Sequence, residues 1–135
     1  VWSRYFAVCT LHFLKRFKMF DFEKLDVYQM TKDLNVKVLT FLKKAKDLDP
    51  YLADQWKRAS LSSLLNLAEG TGRMTDSDKR HFLPIARGSI FESVAILDLL
   101  KSLNLIPENI YLEFYASYEQ SSKMLLGMYR SYAAK

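Results

Sequence analysis

The feature that most restricts the fold of this chain is the spacing of its apolar residues. They return every three or four positions in four successive segments, and no stretch shows the strict alternation of a half-buried strand. In the first segment, about residues 22–47, Val27, Met30, Leu34, Val38, Phe41, Ala45 and Leu48 share one face. In the second, about 51–71, Gln55, Arg58, Ser62, Asn66 and Glu69 occupy a narrow polar sector, and Trp56, Leu61, Leu64, Leu65, Leu67 and Ala68 cover the wide remainder. The third, about 76–103, carries one stripe through Leu83, Ala86, Ile90, Val94 and Leu97 and an adjacent one through Phe82, Ile85, Ser89, Glu92 and Ile96. The fourth, about 108–132, has one heptad line through Ile110, Phe114, Ser117, Ser121, Met124 and Met128, and a second through Tyr111, Tyr115, Tyr118, Ser122, Leu125, Tyr129 and Tyr132.

Punctuation separates the segments. Asp49-Pro50 breaks the chain, and Gly70-Thr71-Gly72 predicts a helix end with glycine in the left-handed conformation. Thr75, Asp76 and Ser77 offer N-caps, and Asn104 and Pro107 close the third segment. Pro84 predicts a kink, or a helix start near residue 83 after a short turn. Four helices joined by short links make an all-α, antiparallel up-down-up-down four-helix bundle. The 135 residues suit one domain, residues 19–135, preceded by an extension over residues 1–18. Half the residues are apolar and 26% are charged, a globular composition, and four Gly and three Pro disfavour a turn-rich β-sandwich. The apolar faces exceed what one bundle can cover, so side-by-side association of copies is expected.

The net charge of +5 comes largely from one segment. Of the 20 Lys and Arg residues, Arg4, Lys15, Arg16 and Lys18 lie in residues 1–18, which hold no acid. That leaves 16 against 15 acids, a net of +1, in the rest. The order of this segment, apolar and then basic, is the reverse of a signal peptide, and the apolar run is too short to span a membrane. A cytoplasmic protein without membrane association is expected. Met19 followed by FDFEKLDVYQ reads as a natural start, with residues 1–18 as upstream sequence. The alternatives are an amphipathic basic element touching membrane or RNA, and an apolar arm packed on the bundle.

Residues that carry chemistry are few. A single cysteine, Cys9, excludes an intrachain disulfide and a multi-cysteine metal site. The two histidines are His12 and His81, and Asp78-x-x-His81 occurs once where a di-metal bundle needs a pair of Glu-x-x-His motifs. Gly70, Gly72, Gly88 and Gly127 do not have phosphate-loop spacing. The reading is non-enzymatic, with no catalytic residue, metal or cofactor.

The polar residues are more informative. Glu92 interrupts an apolar stripe, and an antiparallel hairpin of the second and third segments brings Arg58 within reach of it. One reading is an Arg58–Glu92 lock, with Asn66 and Ser89 adding hydrogen bonds and Glu69 near Arg80. The other is that the polar sector faces water and Glu92 bends to solvent. Gly88 and Ala95 either permit a close helix approach or are simply tolerated. Arg73, Lys79, Arg80 and Arg87, with Lys43 and Lys44, form the candidate nucleic-acid contact, against the alternative of a solvated charged face. The tyrosine line of the fourth segment either stacks bases or packs the bundle.

Three blocks of sequence resemble a known family: FEKLDVYQMTKDL at the start, DQWKRASLSSLLNLAEGTGR in the centre, and FLPIARGSIFES. Together they are similar to the bacterial four-helix-bundle proteins first noted as 23S ribosomal RNA intervening-sequence proteins, over about residues 20–130. By resemblance, Arg58, Ser60, Asn66, Glu69, Gly70, Arg73, Ala86, Gly88, Ser89 and Glu92 match the family's characteristic positions. Trp56 and Leu65 depart from its usual residues, and residues 1–18 are not usual for it. The resemblance implies a four-helix bundle similar to subunits that assemble into ring-shaped homopentamers, and it implies no catalytic activity. Some members are encoded within insertions in the large ribosomal RNA gene. A related branch comprises accessory proteins of diversity-generating retroelements, which bind nucleic acid and a reverse transcriptase. The expectation is therefore an oligomeric bundle that binds RNA or DNA, with a protein-interaction scaffold as the alternative.

Overall fold

The computed structural model describes residues 20–133. A single 3-10 turn, Asp21–Lys24, precedes four helices: α1 (Asp26–Lys44), α2 (Pro50–Thr71), α3 (Asp76–Ser102) and α4 (Glu108–Ala133). The extension read over residues 1–18, with Cys9 and His12, lies outside the described residues.

Local chemistry sets the boundaries. Asp49 caps α2, accepting from the backbone N–H of Tyr51 at 2.8 Å and of Leu52 at 3.2 Å, and Pro50 takes the first helical position, where no N–H is needed. Thr75 caps α3 by accepting from the N–H of Asp78 at 3.1 Å. At the end of α3, Asn104 adopts the left-handed conformation (φ 55°) and lets Leu105 N–H reach the Leu100 carbonyl at 2.9 Å.

The helices form an up-down-up-down ring in which each packs on its chain neighbours and α4 closes against α1. The pairs that touch run in opposite order along the α1–α2, α2–α3 and α3–α4 seams. The 3-10 turn meets the end of α2, while Phe41 near the end of α1 meets Trp56 near the start of α2. Gly70 faces Phe82 and Ser62 faces Ser89 across α2–α3. Lys101 lies by Tyr111 and Arg80 by Tyr129 across α3–α4. Lys37 pairs with Glu113 at 2.8 Å across α1–α4.

Part of each expected apolar face fills the interior, while Leu61, Leu65, Ile85 and Tyr115 stay exposed. Val27, Leu34 and Val38 of α1, Leu67 of α2, Leu83, Ala86, Ile90, Leu97 and Leu100 of α3, and Phe114 and Leu125 of α4 are buried, joined by Leu48 and Ile106 from the links. Burying one such side chain contributes about 1.5–3 kcal/mol. Trp56, wholly buried, stacks edge-on against Phe114 (centroids 5.3 Å apart) and Phe41 (5.8 Å).

Several expectations are corrected. The first helix is shorter at both ends than 22–47, because Leu25 is extended (ψ 126°) after the 3-10 turn and Ala45 leaves helical geometry. α3 runs unbroken from Asp76 through Pro84, so it does not start near residue 83. Buried Leu83, Ala86 and Ile90 hold the helix on the bundle at the proline. Neither Gly70 nor Gly72 is left-handed. What Gly70 supplies is space, since a Cβ there would lie 2.8 Å from the Cβ of Phe82. Gly88 makes no close helix approach: nothing lies within 4 Å of where its Cβ would be, and Ala95 is exposed.

Candidate functional site

The chemistry concentrates on the outer edge of the α3–α4 seam. Arg80, Arg87 and Lys101 are multiples of seven apart, which places them along one flank of α3. Each cation of that flank lies over an aromatic ring. Lys79 is 5.6 Å from the ring centroid of Tyr132, Arg80 5.5 Å from Tyr129, Arg87 4.7 Å from Phe91, and Lys101 4.3 Å from Tyr111. Arg87 Nε also donates to Ser122 Oγ at 3.1 Å. Such contacts contribute about 0.5–1 kcal/mol where exposed. Among the described residues, no ion pair involves Lys79, Arg80 or Arg87. Of the acids along the seam, Glu119 pairs with Lys123 at 2.8 Å and Glu108 lies 3.8 Å from Lys101, while Asp76 and Asp78 stand in the same first turn of α3 as Lys79.

Two clefts open on either side of the Arg87–Phe91 stack. One, of about 320 Å³, is walled by Leu83, Pro84, Gly88, Leu126 and Tyr129. The other, of about 300 Å³, is walled by Val94, Tyr115, Glu119, Ser122 and Lys123. Phe91 and Tyr115 expose 56% and 43% of their surface there.

The remaining expected site residues are dispersed. Arg73 pairs with Glu69 one turn back at 2.7 Å and lies 4.5 Å over the ring of Phe82, at the α2–α3 turn near Lys79 and Arg80. Lys43 and Lys44 end α1 at the opposite pole, separated by the length of the 22-residue α2, on the order of 30 Å at 1.5 Å per residue. The single patch expected from these six residues is therefore two.

The Arg58–Glu92 lock does not form. Arg58 pairs with Asp54 at 2.7 Å on its own helix, with 74% of its side chain in water, and that bond raises its pKa further. Glu92 is exposed. Both lie at the rim of the α2–α3 contact, where staying hydrated costs less than pairing in the interior. The Glu69–Arg80 approach is likewise absent, since Glu69 holds Arg73 and Arg80 turns to Tyr129. Asn66 and Ser89 do not bond each other, but both bond Ser62, and the Ser62–Ser89 bond crosses the hairpin. Asn66 Nδ2 donates to Ser62 Oγ at 3.0 Å, and Ser89 Oγ lies 2.9 Å from Ser62 Oγ. Ser62 is thus the centre of a neutral ladder, and of the two readings of Arg58 and Glu92 the one with Glu92 turned to solvent holds.

A buried polar layer escaped the sequence reading. Trp56 Nε1 donates to Tyr118 Oη at 2.8 Å, beside Ser60 and Ser93. Burial pushes the Tyr118 phenol up from its ordinary pKa, against the pull of these hydrogen bonds. The signal was present, because Trp56 and Tyr118 both fall on core-facing lines and a buried indole N–H needs an acceptor. Among the described residues, no group of three or more His, Cys, Asp and Glu side chains could hold a metal ion, and no helix is long and apolar enough to cross a membrane.

Four packed helices, with no strand among the described residues, define an all-α four-helix bundle. The chain belongs to the 23S rRNA-intervening sequence protein family, which it matches over residues 23–127. It also resembles the crystal structure of a protein of unknown function from the S23 ribosomal protein family of Bacteroides thetaiotaomicron. That likeness has a TM-score of 0.73 and 19% identity, and it covers 76% of this chain and 97% of the other. No curated protein matches the chain.

Proposed function

We propose that this protein is a non-enzymatic, homo-oligomeric helical bundle that binds RNA or DNA. The observation that carries the reading is the row of Lys79, Arg80 and Arg87, three ordered cations without a carboxylate partner on one flank of a chain whose net charge outside residues 1–18 is near zero. Cations with no carboxylate in ion-pair contact suit the regularly charged backbone of a nucleic acid. The name of the family places its members in the setting of ribosomal RNA insertions. An accessory role beside a reverse transcriptase is a specific form of the same function, and a neighbouring reverse-transcriptase gene would support it. Self-association rests on Leu61, Leu65 and Ile85, which stay 48%, 54% and 42% exposed beside the Ser62–Ser89 ladder. A pentameric ring is the assembly proposed.

The test is a titration of labelled structured RNA against the full chain at several salt concentrations. Affinity should fall steeply with salt, and charge reversal of Arg73, Arg80 and Arg87 together should weaken it without loss of helicity. The exposed leucines favour a second reading, a protein-interaction scaffold. Undetectable or salt-independent binding by an intact assembly would select it.

A further inference from the structure

We propose that the α3–α4 seam is a track for single-stranded nucleic acid, with bases seated in the two clefts on either side of the Arg87–Phe91 stack and phosphates held by Lys79, Arg80 and Arg87. The inference rests on the nucleic-acid reading above and adds to it a location and a class of ligand. Both halves of the seam argue for an unpaired strand. Its cations supply the charge that any nucleic acid would satisfy. Its apolar half, with Phe91 and Tyr115 half exposed and the sides of Gly88 and Gly127 open, gains nothing from a duplex, whose base faces are stacked away. An unpaired strand offers both phosphates and bare base faces, and rings beside a cationic groove are what such strands use. The Arg87 guanidinium plane, already stacked on Phe91 and tied to Ser122, is a preformed platform for the next base. The seam also has direction, since Arg80 and Arg87 stand seven residues apart, about 10 Å along α3. Lys43 and Lys44, at the far pole, are outside this track.

The test uses the full chain, a labelled single-stranded uridine oligomer and a duplex RNA of equal length, with binding measured by fluorescence polarisation over a range of potassium chloride. The single strand should bind at least tenfold tighter than the duplex. Arg80→Gln with Arg87→Gln should weaken single-strand binding at least tenfold and flatten the log–log salt slope by about 1.4, at ~0.7 per lost phosphate contact. Phe91→Ala should weaken it about tenfold with the slope unchanged, the signature of lost stacking, and Phe91→Trp should restore it. Lys43→Gln with Lys44→Gln should change affinity less than twofold. Circular dichroism establishes that each variant is folded, and the exposure of Phe91 makes its replacement safe for the core. Preference for the duplex, or unchanged affinity in both seam variants while the parent binds, would overturn the track and leave nucleic-acid binding standing. A parent chain that binds neither probe at low salt would overturn both. Seam variants that alter the assembly's mass but not its RNA affinity would show the seam to be a contact between copies, and would also overturn the proposal.

Discussion

At the scale of single residues, the Trp56–Tyr118 pair carries the sharpest consequences. Tyr118→Phe keeps the ring and removes the only acceptor of the Trp56 indole N–H among its described contacts. A buried donor left without a partner costs about 1–3 kcal/mol, which urea denaturation should read directly. The same residue gives an alkaline signature. Its folded pKa lies above the ordinary tyrosine value near 10 because burial disfavours the phenolate. Its contribution to stability is whole below about pH 10 and is lost as pH rises through the raised folded value, because the unfolded state sheds its proton first. Between pH 9 and 11 the parent should therefore lose more stability than Tyr118→Phe, the other seven tyrosines being common to both. Gly70→Ala should destabilise by about 1–3 kcal/mol, because the new methyl meets the Cβ of Phe82 at 2.8 Å and neither helix can yield alone. Arg58 and Glu92 show where residue-level reading leaves two outcomes open. Periodicity gives the angle of a side chain around its helix, but whether that angle ends in the seam or at its rim depends on the depth of helix contact. At the rim, Asp54 one turn away supplies the nearer partner.

At the scale of elements, the legible part was large because each helix states its ends in local chemistry. Asp49-Pro50, Thr75 and Asn104 are boundaries with a mechanism, and the structure uses all three. Asp49→Ala should cost about 0.5–2 kcal/mol, since one carboxylate serves two orphan N–H groups, and thermal unfolding would measure it. The break at Leu25 was not legible, because no proline or glycine marks it. Pro84 was legible as an anomaly, a kink or a helix start, and of these two the helix start is not there. The proline ring removes one hydrogen bond, yet buried residues on both sides hold the helix through it. Packing thus outweighs a local preference, and relieving the conflict should stabilise. Pro84→Ala is expected to raise unfolding free energy by about 1–3 kcal/mol, since the proline side chain is exposed and its removal leaves no internal hole. An unchanged or lowered value would mean that the proline is matched to its backbone.

At the scale of the whole molecule, the arrangement of charge and apolar surface decides what can be assembled. The two basic poles lie about three Debye lengths apart at 0.1 M salt, so their fields are screened from each other in one copy. Only association of copies can bring such poles into one field. The clearest candidate contact is Leu61 and Leu65, one turn apart on α2 and half exposed. Because they contribute little to the bundle interior, Leu61→Glu with Leu65→Glu should leave helicity and monomer stability nearly unchanged. If they lie in a subunit contact, two carboxylates would be stranded in it, and the dissociation constant should rise a hundredfold or more. Sedimentation velocity reads this as a fall to monomer mass, and a parent chain that already sediments as a monomer at tens of micromolar would remove the assembly from the reading. Mixing parent and variant then separates a ring from a two-fold pair. A ring of five joins unlike patches head to tail, so a variant blocked in one patch still binds through the other and should cut parent rings into short open chains. A two-fold contact uses the same patch on both copies, so the variant would drop out and leave parent dimers whole. Intermediate species in the mixture, absent from either protein alone, are the outcome expected here.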